Sequence, residues 1–326
     1  MTHHPVQVGF AGVASEWLDG LPTLVRQRMR VSAVFDPTPA AAVLAAEKLG
    51  GTHVRSFQQL VASPLVDAVI VANPGWMAWH APLLAMKQGL PVLLVVSRLD
   101  DAAFFDSHLP DQIRLESALS YARANNGFLM PGLPMRWQPV TIRVRELTAT
   151  SLGAVEMLHI TTDPLPLKSR RLAELVDWGL SLVQTAPDAI HVQSVDSSFD
   201  VVVRCRRRRV DGGPVEIRIR GVRDAVADQE VPTMQAVGYC RHGEFSLVAP
   251  TKISHSIDRH VTHESLVADR SAFDVMLDLF GRRLVGGVVP VPDFADVLRA
   301  RNLVLAALLS REHREAVSVC DDGRSA

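Results

Sequence analysis

From Val6 onward, short β-branched runs alternate with stretches of helical periodicity, and this alternation constrains the fold more than any other feature of the chain. Consecutive strands separated by helix-length segments pair in parallel through crossovers, so the first half predicts a parallel sheet covered by helices on both faces. The expected order is a strand over Val6–Gly12, a helix over Glu16–Arg28 and a strand over Val31–Phe35, then a helix over Pro39–Leu49 ended by Gly50-Gly51. A buried-type strand over Val66–Ala72, a helix over Met77–Gln88 and a strand over Val92–Val96 follow. A further helix over Asp111–Ala124 leads to a strand over Phe128–Met130. After about residue 135 the texture changes to longer strands near 154–161, 199–210 and 214–222, the last two joined by Asp211-Gly212-Gly213 as an antiparallel hairpin. Helices return over Ser271–Arg282 and Asp293–Ser310, and Asp321–Ala326 is a polar tail.

The turn after the first strand reads Gly9-Phe10-Ala11-Gly12-Val13-Ala14-Ser15-Glu16-Trp17. Glycine at such a turn lets backbone N–H groups approach a pyrophosphate at a helix N-terminus. Gly12 fits the first position of G-x-G-x-x-G, Ala14 replaces the second and Trp17 the third. The second strand ends at Asp36, where a carboxylate accepts hydrogen bonds from ribose hydroxyls. Pro37-Thr38-Pro39 follow without an arginine for a 2′-phosphate, so NAD is favoured over NADP. The candidate cofactor-binding set is Gly9, Gly12, Val13, Ala14, Asp36, Asn73 and Pro74. The competing reading is that Gly12 only makes a tight turn and Asp36 only caps the next helix. The fold class is therefore α/β. A Rossmann-type doubly wound parallel sheet occupies 1–125, and an α+β domain with an open, mainly antiparallel sheet occupies 126–326, its closing helices packing back on the first domain.

Composition narrows the partners. The 326 residues carry a formal charge of −1, with 48% hydrophobic and 21% charged residues, so no global field draws the chain to nucleic acid or anionic lipid. The absence of an apolar span and of a basic leader predicts a cytoplasmic protein with no membrane partner. Cys205, Cys240 and Cys320 are odd in number and lack C-x-x-C spacing, so reduced thiols are expected rather than disulfides or zinc.

The segments V-G-F-A-G-V-A, V-S-A-V-F-D-P, F-Q-Q-L-V-A-S-P-L-V-D-A-V-I-V-A-N-P and A-P-L-L-A-M-K-Q-G-L-P-V-L-L resemble, in order and spacing, the Gfo/Idh/MocA family of NAD(P)-dependent sugar and polyol oxidoreductases. G-L-P-M-R-W-Q-P (132–139), S-L-G-A-V-E-M-L-H-I and the closing A-F-D-V-M-L-D-L-F…G-G-V-V-P-V-P-D-F-A-D-V-L-R-A extend the similarity over nearly the whole chain. The resemblance implies a substrate-positioning lysine at the end of the Val92–Val96 strand, where this sequence reads Ser97-Arg98-Leu99. It also implies a general-base histidine in D-x-G-x-H-x-x-D. Here Asp177 and Gly179 match, but Ser181 and Gln184 replace the His and the second Asp, and Ala78 replaces a further family histidine. A serine needs an adjacent base to take a proton near neutral pH.

The catalytic candidates are accordingly Arg98, His80, Lys168, Asp177 and Ser181. His80, beside Trp76 and Trp79, either lines a cofactor-side cleft or packs at a helix start. Arg136 either faces ligand or forms an interdomain ion pair, and Lys168 either reaches a cleft or is a solvated basic loop residue. His260 and His263 have the spacing of one helical face, but their context argues against a metal, and Arg206–Arg209 reads as a solvated sheet edge. Two function classes stand. One is an NAD-binding oxidoreductase acting on a sugar-like or other small carbonyl or alcohol substrate with relocated catalytic groups. The other is a catalytically inactive ligand-sensing or protein-interaction descendant of that family. Either is expected to be a homo-oligomer through the second-domain sheet, with no nucleic-acid partner.

Overall fold

A computed structural model describes residues 5–13, 27–73, 75–77, 79–105, 120, 124, 127–195, 198–206, 215–222, 234–248, 251–266, 270–289 and 291–319. The helices expected over 16–28 and 111–124 fall almost wholly outside these residues, as do the 211–213 turn, Arg207–Arg209, Cys320 and the 321–326 tail. The chain divides into two units, Met1–Pro134 with Phe273–Ala295, and Met135–Ala272 with Asp296–Ala326.

In the first unit, β1 (Val6–Ala11), β2 (Met29–Phe35), β3 (Thr52–His53), β4 (Ala68–Val71), β5 (Val92–Leu94) and β6 (Leu129–Pro131) form one sheet in the order β3-β2-β1-β4-β5-β6. Every pairing in it is parallel. The strands read as apolar runs because both faces are covered: Val8, Phe10, Val34, Ile70 and Leu93 are buried in a core that also takes Leu277 and Phe280 from α7 (Ala272–Leu284). The helix α1 (Pro39–Leu49) starts on a proline at its first turn and ends on Gly50 at φ +77°. Next come α2 (Phe57–Val61), α3 (His80–Lys87) and α4 (Asp101–Phe104). The predicted helix over Met77–Gln88 is shorter than expected, because Gly75–Met77 forms a separate 3₁₀ turn before it. Chain order reverses between β1 and β4, and in a doubly wound sheet that switch point opens a crevice at the strands' carboxyl ends.

The second unit contains α5 (Pro139–Thr150), α6 (Arg170–Val183) and α8 (Phe294–His313), whose first two residues belong to the first unit. Its sheet is built from β7 (Val155–Thr162), β8 (Pro187–Val195), β9 (Ser198–Cys205), β10 (Val215–Gly221), β11 (Gln235–Cys240), β12 (Gly243–Val248), β13 (Lys252–Ile257), β14 (His260–Ser265) and β15 (Val317–Ser318). The order is β14-β13-β12-β11-β7-β10-β9-β8-β15, antiparallel throughout except for β7 beside β10. α6 lies on this sheet with Leu172, Leu175, Val176 and Trp178 buried. A Cβ on Gly179 would stand 3.0 Å from Ile217 Cγ2, so the glycine lets the helix settle on β10. No helix among the described residues is long and apolar enough to cross a membrane.

Candidate functional site

Three loops at the carboxyl ends of β1, β2 and β4 meet at the switch point. Gly12, just beyond β1, has φ +65°, and its N–H donates to Phe35 O at 2.7 Å. A side chain there would place Cβ 1.7 Å from the Asn73 carbonyl oxygen, so only glycine makes this turn. Asp36 receives the Val13 N–H on Oδ2 at 3.3 Å and the Thr38 N–H on Oδ1 at 2.8 Å. The carboxylate thus ties the first turn to the start of α1, and each oxygen keeps a second acceptor position. Asn73 is exposed at the end of β4, with its N–H directed to Ala11 O at 3.4 Å. Gly12, Val13, Asp36 and Asn73 are therefore brought together, while Ala14, Trp17, Pro74 and Ala78 lie outside the described residues. Gly9 sits within β1, and its missing side chain admits Leu60 Cδ2 to 2.9 Å of where a Cβ would be. Its place is a packing position under the sheet.

The remaining candidates of the first unit lie apart from that turn in the chain. His80 is exposed at the start of α3, following Trp79, whose indole donates to Ala103 O at 2.9 Å and meets the Phe294 ring edge-on. Ser97 and Arg98 form a 3₁₀ turn after β5, with the exposed Arg98 guanidinium 5.8 Å from the Phe273 ring centre. Ser97 Oγ is buried and has no hydrogen-bond partner among the described residues.

The second unit holds a polar cavity of about 320 Å³ lined by Arg136, Asp177, Ser181, Gln184, Asp296 and Arg299 among others. Asp177, Ser181 and Gln184 recur at helical spacing, so α6 presents them along one face. Asp177 is held at both oxygens by Arg136, Nε to Oδ2 at 2.8 Å and Nη2 to Oδ1 at 2.5 Å. Arg136 also reaches Asp296 at 3.0 Å, and Asp296 pairs with Arg299 at 2.9 Å. Burial pushes the Asp177 carboxyl above its ordinary range against the pull of Arg136. Burial likewise opposes the charge on Arg136, but Asp177 and Asp296 outweigh it and hold the guanidinium pKa above its usual value. Ser181 Oγ donates to Trp178 O at 2.7 Å and accepts from Arg145 Nη2 at 3.2 Å. Gln184 is the left-handed C-cap of α6 at φ +55°. Lys168 is exposed just before Ser169, the N-cap of the same helix.

Arg136 therefore pairs with Asp177 and Asp296 inside the second unit. The helical reading of His260 and His263 is corrected: both fall on β14, where residues three apart point to opposite faces, and His263 bonds Ser254 instead. Arg145 was missed by the sequence reading. No motif or spacing in the sequence marks it.

No protein-family model and no curated protein matches the chain by sequence. Solved structures do match by shape. An aldose-aldose oxidoreductase from Caulobacter crescentus, complexed with glycerol, superposes with TM-score 0.73 at 14% identity, covering 97% of this chain and 100% of the other. A UDP-N-acetylglucosamine 3-dehydrogenase from Acidithiobacillus ferrooxidans gives 0.70 at 16% identity, over 94% and 98%. An oxidoreductase domain protein from Kribbella flavida gives 0.75 at 16%, over 98% and 100%. The chain shares the fold of these oxidoreductase and dehydrogenase structures. That fold pairs the parallel sheet of the first unit with the open, mainly antiparallel sheet of the second.

Proposed function

We propose that the first unit binds a nicotinamide dinucleotide, NAD in preference to NADP, and that the protein is an oxidoreductase of a sugar-like or other small carbonyl or alcohol substrate. The observation that carries this reading is the convergence of Gly12, Asp36 and Asn73 at the switch point, with a turn only glycine can make. The names of the similar structures, an aldose-aldose oxidoreductase and a UDP-N-acetylglucosamine dehydrogenase, support the substrate class. The cofactor, when bound, supplies or accepts the hydride. Asp36 accepts the free ribose hydroxyls, and its charge repels a 2′-phosphate.

A second reading, a catalytically inactive ligand-sensing or protein-interaction descendant, is favoured by the state of the cavity groups. Both Asp177 oxygens are taken by Arg136, and Ser181 donates its only proton to a backbone carbonyl. Asp177 is turned to Arg136 rather than to a substrate hydroxyl, the partners of Ser181 are Trp178 O and Arg145 rather than a base, and a missing base lowers alcohol oxidation by about 10²–10⁴-fold. Calorimetric titration with NADH and NADPH, followed by a search for NADH formation from sugars and polyols, separates the readings. Tighter binding of NADH with slow or no turnover is expected. Stronger binding of NADPH overturns the role of Asp36, and binding of neither leaves the second reading. Fast turnover refutes the assignment of Asp177 and Ser181 as occupied groups.

A further inference from the structure

Arg145 lies on α5 with its guanidinium donating to the Arg136 carbonyl oxygen and to Ser181 Oγ, each at 3.2 Å, and standing 5.8 Å from the centre of the Trp137 ring. Both acceptors are neutral. Five N–H groups are available to a guanidinium, so three remain for a ligand. Arg145 makes no ion pair among the described residues, whereas Arg136 and Arg299 are both paired with carboxylates. Three guanidinium groups, Arg136, Arg145 and Arg299, thus stand around Ser181 and its cavity against two carboxylates, Asp177 and Asp296. One positive charge is left over, and it is the one on Ser181. Burial, then the neighbouring charge of Arg136, hold the Arg145 pKa below its ordinary value, with Asp177 restoring only part. Trp137 Nε1, on the residue whose ring Arg145 stands over, is buried and has no hydrogen-bond partner among the described residues. An orphaned buried donor beside an uncompensated cation is costly unless an acceptor fills the site.

We propose that Arg145, braced on Ser181, forms a subsite for the carboxylate of a small polyhydroxylated acid. A guanidinium fork takes a carboxylate through two parallel charge-assisted hydrogen bonds, which a hydroxymethyl group cannot replace. Arg145 touches Ser181, which lines the cavity of about 320 Å³; that cavity is of monosaccharide scale, and its wall of Asp177, Gln184, Asp296 and Arg299 suits hydroxyl groups. That this ligand is a substrate rests on the oxidoreductase reading; the anion subsite rests on the second unit alone.

D-glucuronate and D-glucose form the test pair, since they differ only in a carboxylate against a hydroxymethyl group. Titration of the full chain by calorimetry, without cofactor and at fixed ionic strength, is expected to show glucuronate binding at least tenfold tighter than glucose. Arg145→Gln should remove that preference, and Arg145→Lys should restore part of it, while NADH affinity, measured alongside, stays unchanged in both. Equal affinities for the two sugars, binding of neither, or a preference that survives Arg145→Gln overturns the subsite. The wild-type comparison decides even if the variants misfold. Loss of NADH binding with glucuronate preference intact overturns the cofactor reading and leaves the subsite standing, and the reverse result does the opposite.

Discussion

Arg136→Met offers a sharp test of how the second unit is held together. The substitution keeps most of the side-chain volume and removes the one partner that, among the described residues, holds both oxygens of Asp177, whose side chain is 5% exposed, against 12% for Arg136. Removing one member of a buried pair leaves an uncompensated charge and typically costs about 3–5 kcal/mol. For a unit of this size each kcal/mol lowers the melting temperature by roughly 2–4 °C, so a fall on the order of 10 °C is expected. Without Arg136, the burial that already raises the Asp177 pKa is opposed only by the weaker pull of Arg299. A carboxyl whose folded pKa is raised contributes stability below its unfolded value near 4, and that stability is lost as pH rises through the folded value. The deficit in urea unfolding should therefore be larger at pH 7 than at pH 5. Arg136→Met combined with Asp177→Leu should recover most of the loss, because an apolar pair of similar volume is often neutral in place of a buried ion pair. A single-variant deficit below about 1 kcal/mol that does not change with pH would refute the buried-pair account.

Gly12→Ala forces a Cβ into the Asn73 carbonyl at φ +65°, so NADH affinity should fall at least tenfold while the second unit unfolds as before, read by calorimetry and tryptophan fluorescence. Ile217 faces α6, so by alternation Arg218 and Arg220 project from the opposite face of the open sheet, on which Tyr239 is also exposed. This face should pair with a second copy, giving a dimer by light scattering that Tyr239→Asp weakens; a wild-type monomer at micromolar concentration rejects it. Burial pushes the Cys205 and Cys240 thiols up to about 12, so iodoacetamide at pH 8 should modify both slowly until urea unfolds the chain, as followed by peptide mass spectrometry.

The strand-helix alternation of the first half was legible because parallel strands buried on both faces must be apolar runs, and Gly12 with Asp36 marked the turn and the next strand end. The α1 helix over Pro39–Leu49 matched its reading residue for residue, since proline and glycine mark its ends through backbone geometry alone. The later strands β11 to β14 were not read, because half of their residues face solvent and their alternation is diluted by His, Ser and Glu. The histidine pair of β14 was mistaken for a helical face for the same reason. What the sequence determined by itself was local: turn glycines, caps and the apolar periodicity that sets the fold class. Only the tertiary structure decided which charges meet. The Arg136–Asp177 pair spans 41 positions and Arg145–Ser181 spans 36, and nothing in local propensity encodes contacts made by packing one helix against another. Whether a given arginine meets a carboxylate or only neutral acceptors is a property of that packing, which is why the setting of Arg145 emerged only in three dimensions.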